Sequence, residues 1–415
     1  MKVLLAAPYI YIKGHKHGSR NQSGLAYMIR DIAEMLSDQG AEVYVLTQSV
    51  FTEKMKVGNI NMLPKQLIHM VIGCKPAYLK YALKAIRKES YSISKKVRIL
   101  MYFLTGGYLE STINRIKPDV VHIHSIGLYT LPFIMACIRT GTKFVVTLHG
   151  LVSFTEYENS GKLEKSLEKE YLNFAQKFDV TTTVVSTGVK NRIENWQKGN
   201  SDYIKVILNS FKQDCVKAKT NNDSNKLILC VGSLSDRKNQ LQAIRAFELL
   251  KDKRKEGYKL LLVGDGPKRE ELEGYIRDHN LHEVQCVGKI ERSQVQELYD
   301  RASLLVMSSI DEGFGLPVIE AYSKGIPAVA FADLDAIPDL YNEDTMILVD
   351  ERTDIALSKG IEQALEKEWD KENIKSYYKK FQPSAIGFQY YDLLSSCEKT
   401  HAKTEDFTDM LQNLF

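Results

Sequence analysis

A chain of 415 residues is too long for one ordinary hydrophobic core, so two domains are expected. Its 44% hydrophobic and 26% charged residues are the composition of a soluble globular protein. The formal net charge of +4 is too small to argue by itself for a nucleic-acid partner, and no run approaches the ~18 apolar residues of a membrane span.

The first ten residues, MKVLLAAPYI, carry a charge and a short apolar run. The run is only about six residues long before Pro8, too short for a signal h-region, so a first buried strand is the better reading. Val3 to Ala7, Val43 to Thr47, Val120 to His124 and Phe144 to Leu148 are nearly continuous apolar runs, which suits parallel strands covered on both faces. The loop from Pro8 to Gln22 is long and holds Gly14, Gly18 and several basic residues. Beyond it Leu25, Ile29, Ile32, Ala33 and Leu36 recur at helical spacing and stop at Gln39-Gly40.

From Lys65 to Arg98 the chain is basic and amphipathic. Lys75, Lys80, Lys84, Arg87, Lys88, Lys95, Lys96 and Arg98 face one acid, Glu89, with aromatic and aliphatic residues interleaved. Lys75 to Arg98 reads either as a surface for anionic lipid or as a solvated face beside an acceptor; the first is preferred. Tyr203 to Leu208 reads as a strand, and the polar stretch Lys212 to Lys226 as an interdomain linker. Strand-like runs then resume at Leu227 to Val231, Leu260 to Val263, Val284 to Val287, Leu304 to Met307 and Ala328 to Phe331. Two runs of alternating strand and helix imply two doubly wound α/β domains. The tail from Lys399 has amphipathic spacing at Phe407, Met410, Leu411, Leu414 and Phe415, and reads equally as a packed or a frayed helix. Six cysteines at 74, 137, 215, 230, 286 and 397 form no CxxC pair and read as reduced thiols of a cytoplasmic protein.

The most informative stretch is Glu312 to Glu320, EGFGLPVIE, which comes after the apolar strand Ser303 to Met307. Gly313 and Gly315 permit a sharp turn, and Pro317 suits a first helical turn. The amides of Phe314, Gly315 and Leu316 should then stand open at a helix N-terminus, where phosphate binds. Glu320, expected in the first turn, would repel phosphate and so should address a pair of hydroxyls. Amides for phosphate and a carboxylate for a diol describe a nucleotide-sugar site.

Extended by Ala321, this stretch resembles the signature of retaining glycosyltransferase family 4. VGSLSDRKN (Val231 to Asn239), LVGDGP (Leu262 to Pro267), PDVVHIH (Pro118 to His124) and TLHG (Thr147 to Gly150) resemble further family segments, in the family's order from about residue 1 to 400. The resemblance implies the GT-B fold: two Rossmann-like doubly wound domains facing across a cleft. It places the N-terminal, acceptor-binding domain at 1–210 and the nucleotide-sugar domain at 211–380. A C-terminal helix at 381–398 would return to the first domain, with a tail at 399–415.

By the same resemblance Lys238 and Arg237 would meet the donor diphosphate, Glu320 the ribose hydroxyls, and Glu312 and His149 the transferred sugar. The family has Arg where this chain has Ser233, so Arg237 is expected to substitute. Gly24, after Ser23 where the family has a second glycine, would offer its amide to phosphate. Gly264 belongs to the second-strand turn, and Lys289 and Ile290 lie where the base would meet backbone. His122 and His124 share one strand face and read as structural or cleft-lining. The string Asp333-Leu334-Asp335 reads as chance, and no metal or cofactor is expected.

The implied function is retaining, metal-independent transfer from a UDP- or GDP-linked sugar to a saccharide or lipid-linked acceptor in cell-surface glycan synthesis. The location would be cytoplasmic or peripheral on the inner membrane face. A silent GT-B partner subunit and a GT-B sugar-nucleotide epimerase are the alternatives.

Overall fold

The apolar runs at 3–7, 43–47, 120–124 and 144–148, and those of the second half, all form strands in the computed structural model, which describes residues 1–12, 23–47, 54–64, 74–87, 91–155, 161–213, 226–250 and 257–414. Gly14, Gly18, Lys88, Glu89, Cys215, Phe415, Lys65 to Gly73 and most of the linker lie outside the described residues. Two units emerge: residues 1–185, 189–208 and 383–415, and residues 186–188 and 209–382. Asn209 and Ser210 thus belong with the second unit, and the tail with the first.

The first unit is built on eight strands: β1 Lys2–Ala7, β2 Glu42–Thr47, β3 Met55–Val57, β4 Ile60–Met62, β5 Val120–His124, β6 Phe144–Leu148, β7 Thr182–Val184 and β8 Ile204–Val206. Their order is β3-β4-β2-β1-β5-β6-β7-β8, parallel throughout except for the β3–β4 hairpin. Val120 to His124, the third apolar run in the sequence, is therefore the fifth strand, because β3 and β4 are too short to show in a periodicity reading.

The basic stretch folds as two helices, Pro76–Ile86 and Ile93–Leu104, which bury Tyr78, Tyr81, Ala82, Ile99 and Phe103. The tail is not frayed: helix Thr404–Leu414 buries Phe407, Met410, Leu411 and Leu414, and Tyr81 Oη donates to Thr408 Oγ1 at 2.5 Å. The returning helix Pro383–Ser396 also belongs to this unit and sets Tyr390 5.4 Å from His122.

The second unit holds β9 Leu227–Val231, β10 Lys259–Val263, β11 Val284–Gly288, β12 Ala302–Met307, β13 Ala328–Phe331 and β14 Met346–Val349. They pair in parallel in the order β11-β10-β9-β12-β13-β14. The order reverses between β9 and β12, the first and fourth strands of this sheet. Burial on both faces explains why the central strands β9, β12 and β13 read as apolar runs: Ile228, Leu229, Leu304, Leu305, Ala328 and Val329 are at most 1% exposed.

Candidate functional site

Open α/β sheets gather ligands outside the carboxyl ends of their strands, at the point where strand order reverses. In the second unit that point carries the loop after β9, with Arg237 and Lys238, and the loop after β12, with Ser308 to Gly315. The two loops are laced together. Ser308 Oγ donates to the Lys238 carbonyl at 3.0 Å, and the Ile310 amide to the Arg237 carbonyl at 2.8 Å. Arg237 Nη1 donates to the Asp311 carbonyl at 2.9 Å.

The lacing brings charges together. The Lys238 ammonium forms a hydrogen-bonded ion pair with Glu312, and Arg237 Nη1 lies 3.9 Å from the same carboxylate oxygen. Lys238 and Glu312 side chains are each 12% exposed. Burial alone would raise the Glu312 carboxyl. The charges of Lys238 and Arg237, the Lys238 hydrogen bond and the Gly315 amide outweigh it and hold the carboxyl below its usual range. A recess at this point is lined by Cys230, Lys238, Gln240, Ser308, Ser309 and Pro317, and Gln240 Oε1 is buried there without a partner.

Two local expectations need correction. Gly315 is the N-cap of helix Leu316–Ser323 with φ 87°, a conformation glycine adopts without penalty. Its amide does not stand open: it donates to Glu312, because the turn folds that carboxylate back over the helix end. Glu320 is the fifth residue of this helix and so lies in the second turn, about 6 Å along the axis from Leu316. There the hydroxyl of Tyr299, a residue 1% exposed, hydrogen-bonds the Glu320 carboxylate and lies 3.2 Å from the Pro317 carbonyl. Burial first, and the Glu320 charge second, push that phenol well above its ordinary range.

The remaining second-unit candidates surround this centre. Phe314 is 3% exposed and packs edge-on against Phe381 at 6.0 Å, so its side chain anchors the turn; Leu316 is half-buried. Gly264 has a packing role in the structure. A Cβ there would lie 2.0 Å from the Gly232 carbonyl oxygen, so only glycine lets the ends of β9 and β10 approach. Lys289 is exposed and Ile290 half-buried just beyond β11. Asp333 is taken by Arg352, and among the described residues no three His, Cys, Asp or Glu side chains cluster as a metal would require.

In the first unit, His149 comes directly after β6. Its Nε2 is 3.1 Å from His124 Nδ1, and the rings stack at 5.4 Å. His122 Nε2 is 2.6 Å from Thr147 Oγ1, which meets Thr183 Oγ1 at 2.5 Å. The loop after His149 is held by Glu168 of helix Lys162–Lys177, which accepts from the amides of Val152 and Ser153 at 3.0 and 2.9 Å. Gly24 is the exposed first residue of helix Gly24–Asp38, and Ser23 is its cap, accepting from the Ala26 amide at 3.3 Å.

Sequence reasoning missed Tyr299, Glu168 and the His124–His149 bond. Glu168 had a signal, an acid on the buried stripe Leu163, Leu167, Tyr171 and Leu172. Tyr299 had none, since its partner is on another helix.

Burial lowers His122 to about 3, aided by the His149 charge, and lowers His149 to about 4; His124 is also pushed well below the ordinary 6.5. These groups are neutral when folded but take up protons when unfolded. Stability is therefore full above pH 6.5 and falls as the pH drops below it, at a rate approaching about 1.4 kcal/mol per pH unit per histidine. Urea unfolding at pH 7.5, 6.0 and 5.0 should show this loss, and His124→Asn should flatten the slope. An acid slope unchanged in that variant counts against the assignment.

A family model described as Glycosyltransferase Family 4 matches residues 22–212, and one described as Glycosyl transferases group 1 matches residues 212–381. With the two parallel-sheet units, they show that the chain belongs to the family-4-type glycosyltransferases and has their two-domain GT-B fold. An alpha-1,4-N-acetyl-D-galactosaminyltransferase of Campylobacter jejuni, whose name includes a PP-undecaprenol-linked glycan, is 26% identical over 58% of this chain and 67% of its own length. The O-antigen chain mannosyltransferase RfbU of Salmonella typhimurium is 29% identical over 68% of this chain and 84% of its own. The solved structure of Anabaena HepE in complex with UDP superposes with a TM-score of 0.65 at 18% identity, covering 96% of this chain and 100% of that one.

Proposed function

We propose that the chain moves a sugar, with retention and without a metal, from a UDP- or GDP-linked donor to a saccharide or lipid-linked saccharide in cell-surface glycan synthesis. The observation that carries this reading is the gathering of Lys238, Arg237 and Glu312 at the β9/β12 reversal. As the anomeric C–O bond breaks, charge grows on the departing diphosphate. Lys238 and Arg237 are fixed in advance to meet it, each such donor being worth ~3–4 kcal/mol of barrier. The diphosphate takes Glu312's place at Lys238, and Glu312 turns to the sugar. Glu320, steadied by Tyr299, accepts from the ribose hydroxyls. The neutral His149 imidazole suits hydrogen bonding to a sugar hydroxyl.

The names of the Campylobacter and Salmonella relatives support a glycan acceptor, and the HepE complex supports a uridine nucleotide. UDP and GDP thermal-shift titrations test the donor, since ligand at 100 times its Kd stabilises by about 2.7 kcal/mol. Product anomeric configuration by NMR tests retention. Transfer should survive EDTA; activity lost on chelation and restored by Mg or Mn overturns metal independence. No donor turnover, even hydrolytic, leaves the silent-subunit reading.

The face formed by helices Pro76–Ile86 and Ile93–Leu104 is assigned to anionic membrane. On these two helices Ile93 is 82% exposed, Val97 53% and Leu83 44%, and Lys80, Arg87 and Arg98 are exposed as well. Not all the basic residues are free for this. Lys75 pairs with buried Glu110, Lys95 with Glu164 at 3.3 Å, and Lys84 Nζ is 3.5 Å from the Gln412 carbonyl. Among the described residues no helix is long and apolar enough to cross a membrane. Each basic residue near an anionic surface adds roughly 1 kcal/mol. The protein should cosediment with phosphatidylglycerol vesicles, less so as salt rises. Gln at Lys80, Arg87 and Arg98 should release it while leaving transfer to a soluble acceptor intact. A wild type that never binds returns this face to solvent.

A further inference from the structure

Arg352 lies three residues beyond β14 and outside the short motifs that carry the family resemblance. Its guanidinium makes four hydrogen bonds to three residues. Nε and Nη2 donate to the two carboxylate oxygens of Asp333 at 2.7 and 2.6 Å. Nη1 donates to the Ser309 carbonyl at 3.0 Å, and Nη2 to the Ile310 carbonyl at 3.2 Å. The group also lies 4.5 Å over the Phe331 ring. Only a planar fork of five N–H donors can serve a carboxylate and two carbonyls together; a lysine ammonium is a single point.

The two carbonyls matter for their place in the chain. Ser309 and Ile310 open the loop that delivers Glu312, two residues on. On one side this loop is tied to Arg237, by the Ile310 amide and the Asp311 carbonyl. Arg352 ties it on the other, to the end of β13. Asp333 is 57% exposed, so the ion pair itself adds little to stability. It aims the fork. The Asp333-Leu334-Asp335 string thus contributes one carboxylate to a clamp.

We infer that Arg352, oriented by Asp333, is a positioning residue that grips the Ser309 and Ile310 carbonyls and thereby sets the place of Glu312 for sugar transfer. This rests on the transferase reading proposed for the Lys238–Glu312 site. Misplacing a reacting group by about 1 Å costs on the order of 100-fold in rate. Arg237 and Lys238 sit on the other loop, so nucleotide binding should survive.

The test takes Arg352→Gln, Arg352→Lys and Asp333→Asn through turnover, nucleotide binding and amide exchange on the full chain, and adds a guanidinium rescue of Arg352→Ala with Glu312→Gln as its control. In Arg352→Gln, turnover of UDP- and GDP-linked sugars should fall on the order of 100-fold while UDP or GDP dissociation constants move less than about threefold. Arg352→Lys and Asp333→Asn should fall between it and wild type. Amide hydrogen exchange across residues 308–315 should quicken in Arg352→Gln with the rest of the chain unchanged. Guanidinium ion should restore part of the turnover of Arg352→Ala and none of that of Glu312→Gln. Turnover within threefold of wild type in Arg352→Gln, or equal loss of binding and turnover, overturns the proposal. If Arg352→Gln does not fold, Arg352→Lys decides by the same criteria. If the wild type turns over no donor, the transferase reading fails on its own, and the exchange measurement still decides whether the clamp exists.

Discussion

Lys238→Met should lower sugar transfer on the order of 100- to 1000-fold and destabilise the fold at the same time. The rate loss comes from removing a preorganised cation from the departing diphosphate, about 3–4 kcal/mol of barrier. The stability loss comes from Glu312, left 12% exposed without its ammonium partner. Breaking a buried ion pair from one side costs about 3–5 kcal/mol. The Arg237 guanidinium, 3.9 Å away, should hold the loss toward the lower end. The pH dependence should change sign. In wild type the Glu312 carboxyl is lowered from 4.5, so its contribution is present above that value and fades as the pH falls through the lower folded one. In Lys238→Met burial dominates and raises the carboxyl, so acid should narrow the gap to wild type. The double variant Lys238→Met/Glu312→Gln should recover most of the stability and none of the activity. Denaturant midpoints and turnover on the four proteins of the cycle check this; additive stability losses refute the coupling.

Glu312→Gln and Glu320→Ala should separate along different axes. Glu312→Gln should lower turnover on the order of 100- to 1000-fold, the range for losing one preorganised group beside the reacting atoms. Nucleoside diphosphate binding should stay equal or tighten, because the competing carboxylate has left Lys238. Glu320→Ala should instead weaken nucleotide binding by about tenfold, the equivalent of a charged hydrogen bond of roughly 1.5 kcal/mol, with a smaller effect on turnover. Tyr299→Phe should shift binding in the same direction as Glu320→Ala, since its hydroxyl steadies that carboxylate. Calorimetry with UDP and GDP, paired with steady-state kinetics, reads both axes. Equal loss of nucleotide binding in Glu312→Gln and Glu320→Ala refutes the division of roles.

Much of the scaffold is legible in the order of residues. Strands buried on both faces must be apolar at nearly every position, so β1, β5, β6, β9, β10 and β12 stand out as nearly continuous apolar runs. Shorter strands are less legible: β3, β4 and β7, of three residues each, do not show, whereas β8, equally short, shows only within the longer apolar stretch Tyr203 to Leu208. The turn at Gly315 and the helix after it are likewise local, set by glycine at positive φ and proline in the first turn. The tail Thr404–Leu414 is ambiguous in sequence because amphipathic spacing states what a helix could bury, and only a partner such as Tyr81 decides whether it does.

The amino-acid order alone determined two doubly wound units, the turn-and-helix motif from Glu312 to Glu320, and the candidate residues Lys238 and Arg237. The first two rest on short-range chemistry, namely side-chain period, backbone freedom and the dipole of a helix end; Lys238 and Arg237 are what the family resemblance implies. Tertiary structure decided how those residues are paired. It set Glu312 against Lys238 across 74 positions of chain and gave it the Gly315 amide. It brought Tyr299 to Glu320, His124 to His149, and Arg352 to the carbonyls of Ser309 and Ile310. Such pairings join side chains on different strands and helices. Their distances are set by sheet order and helix packing, which no local window of sequence contains.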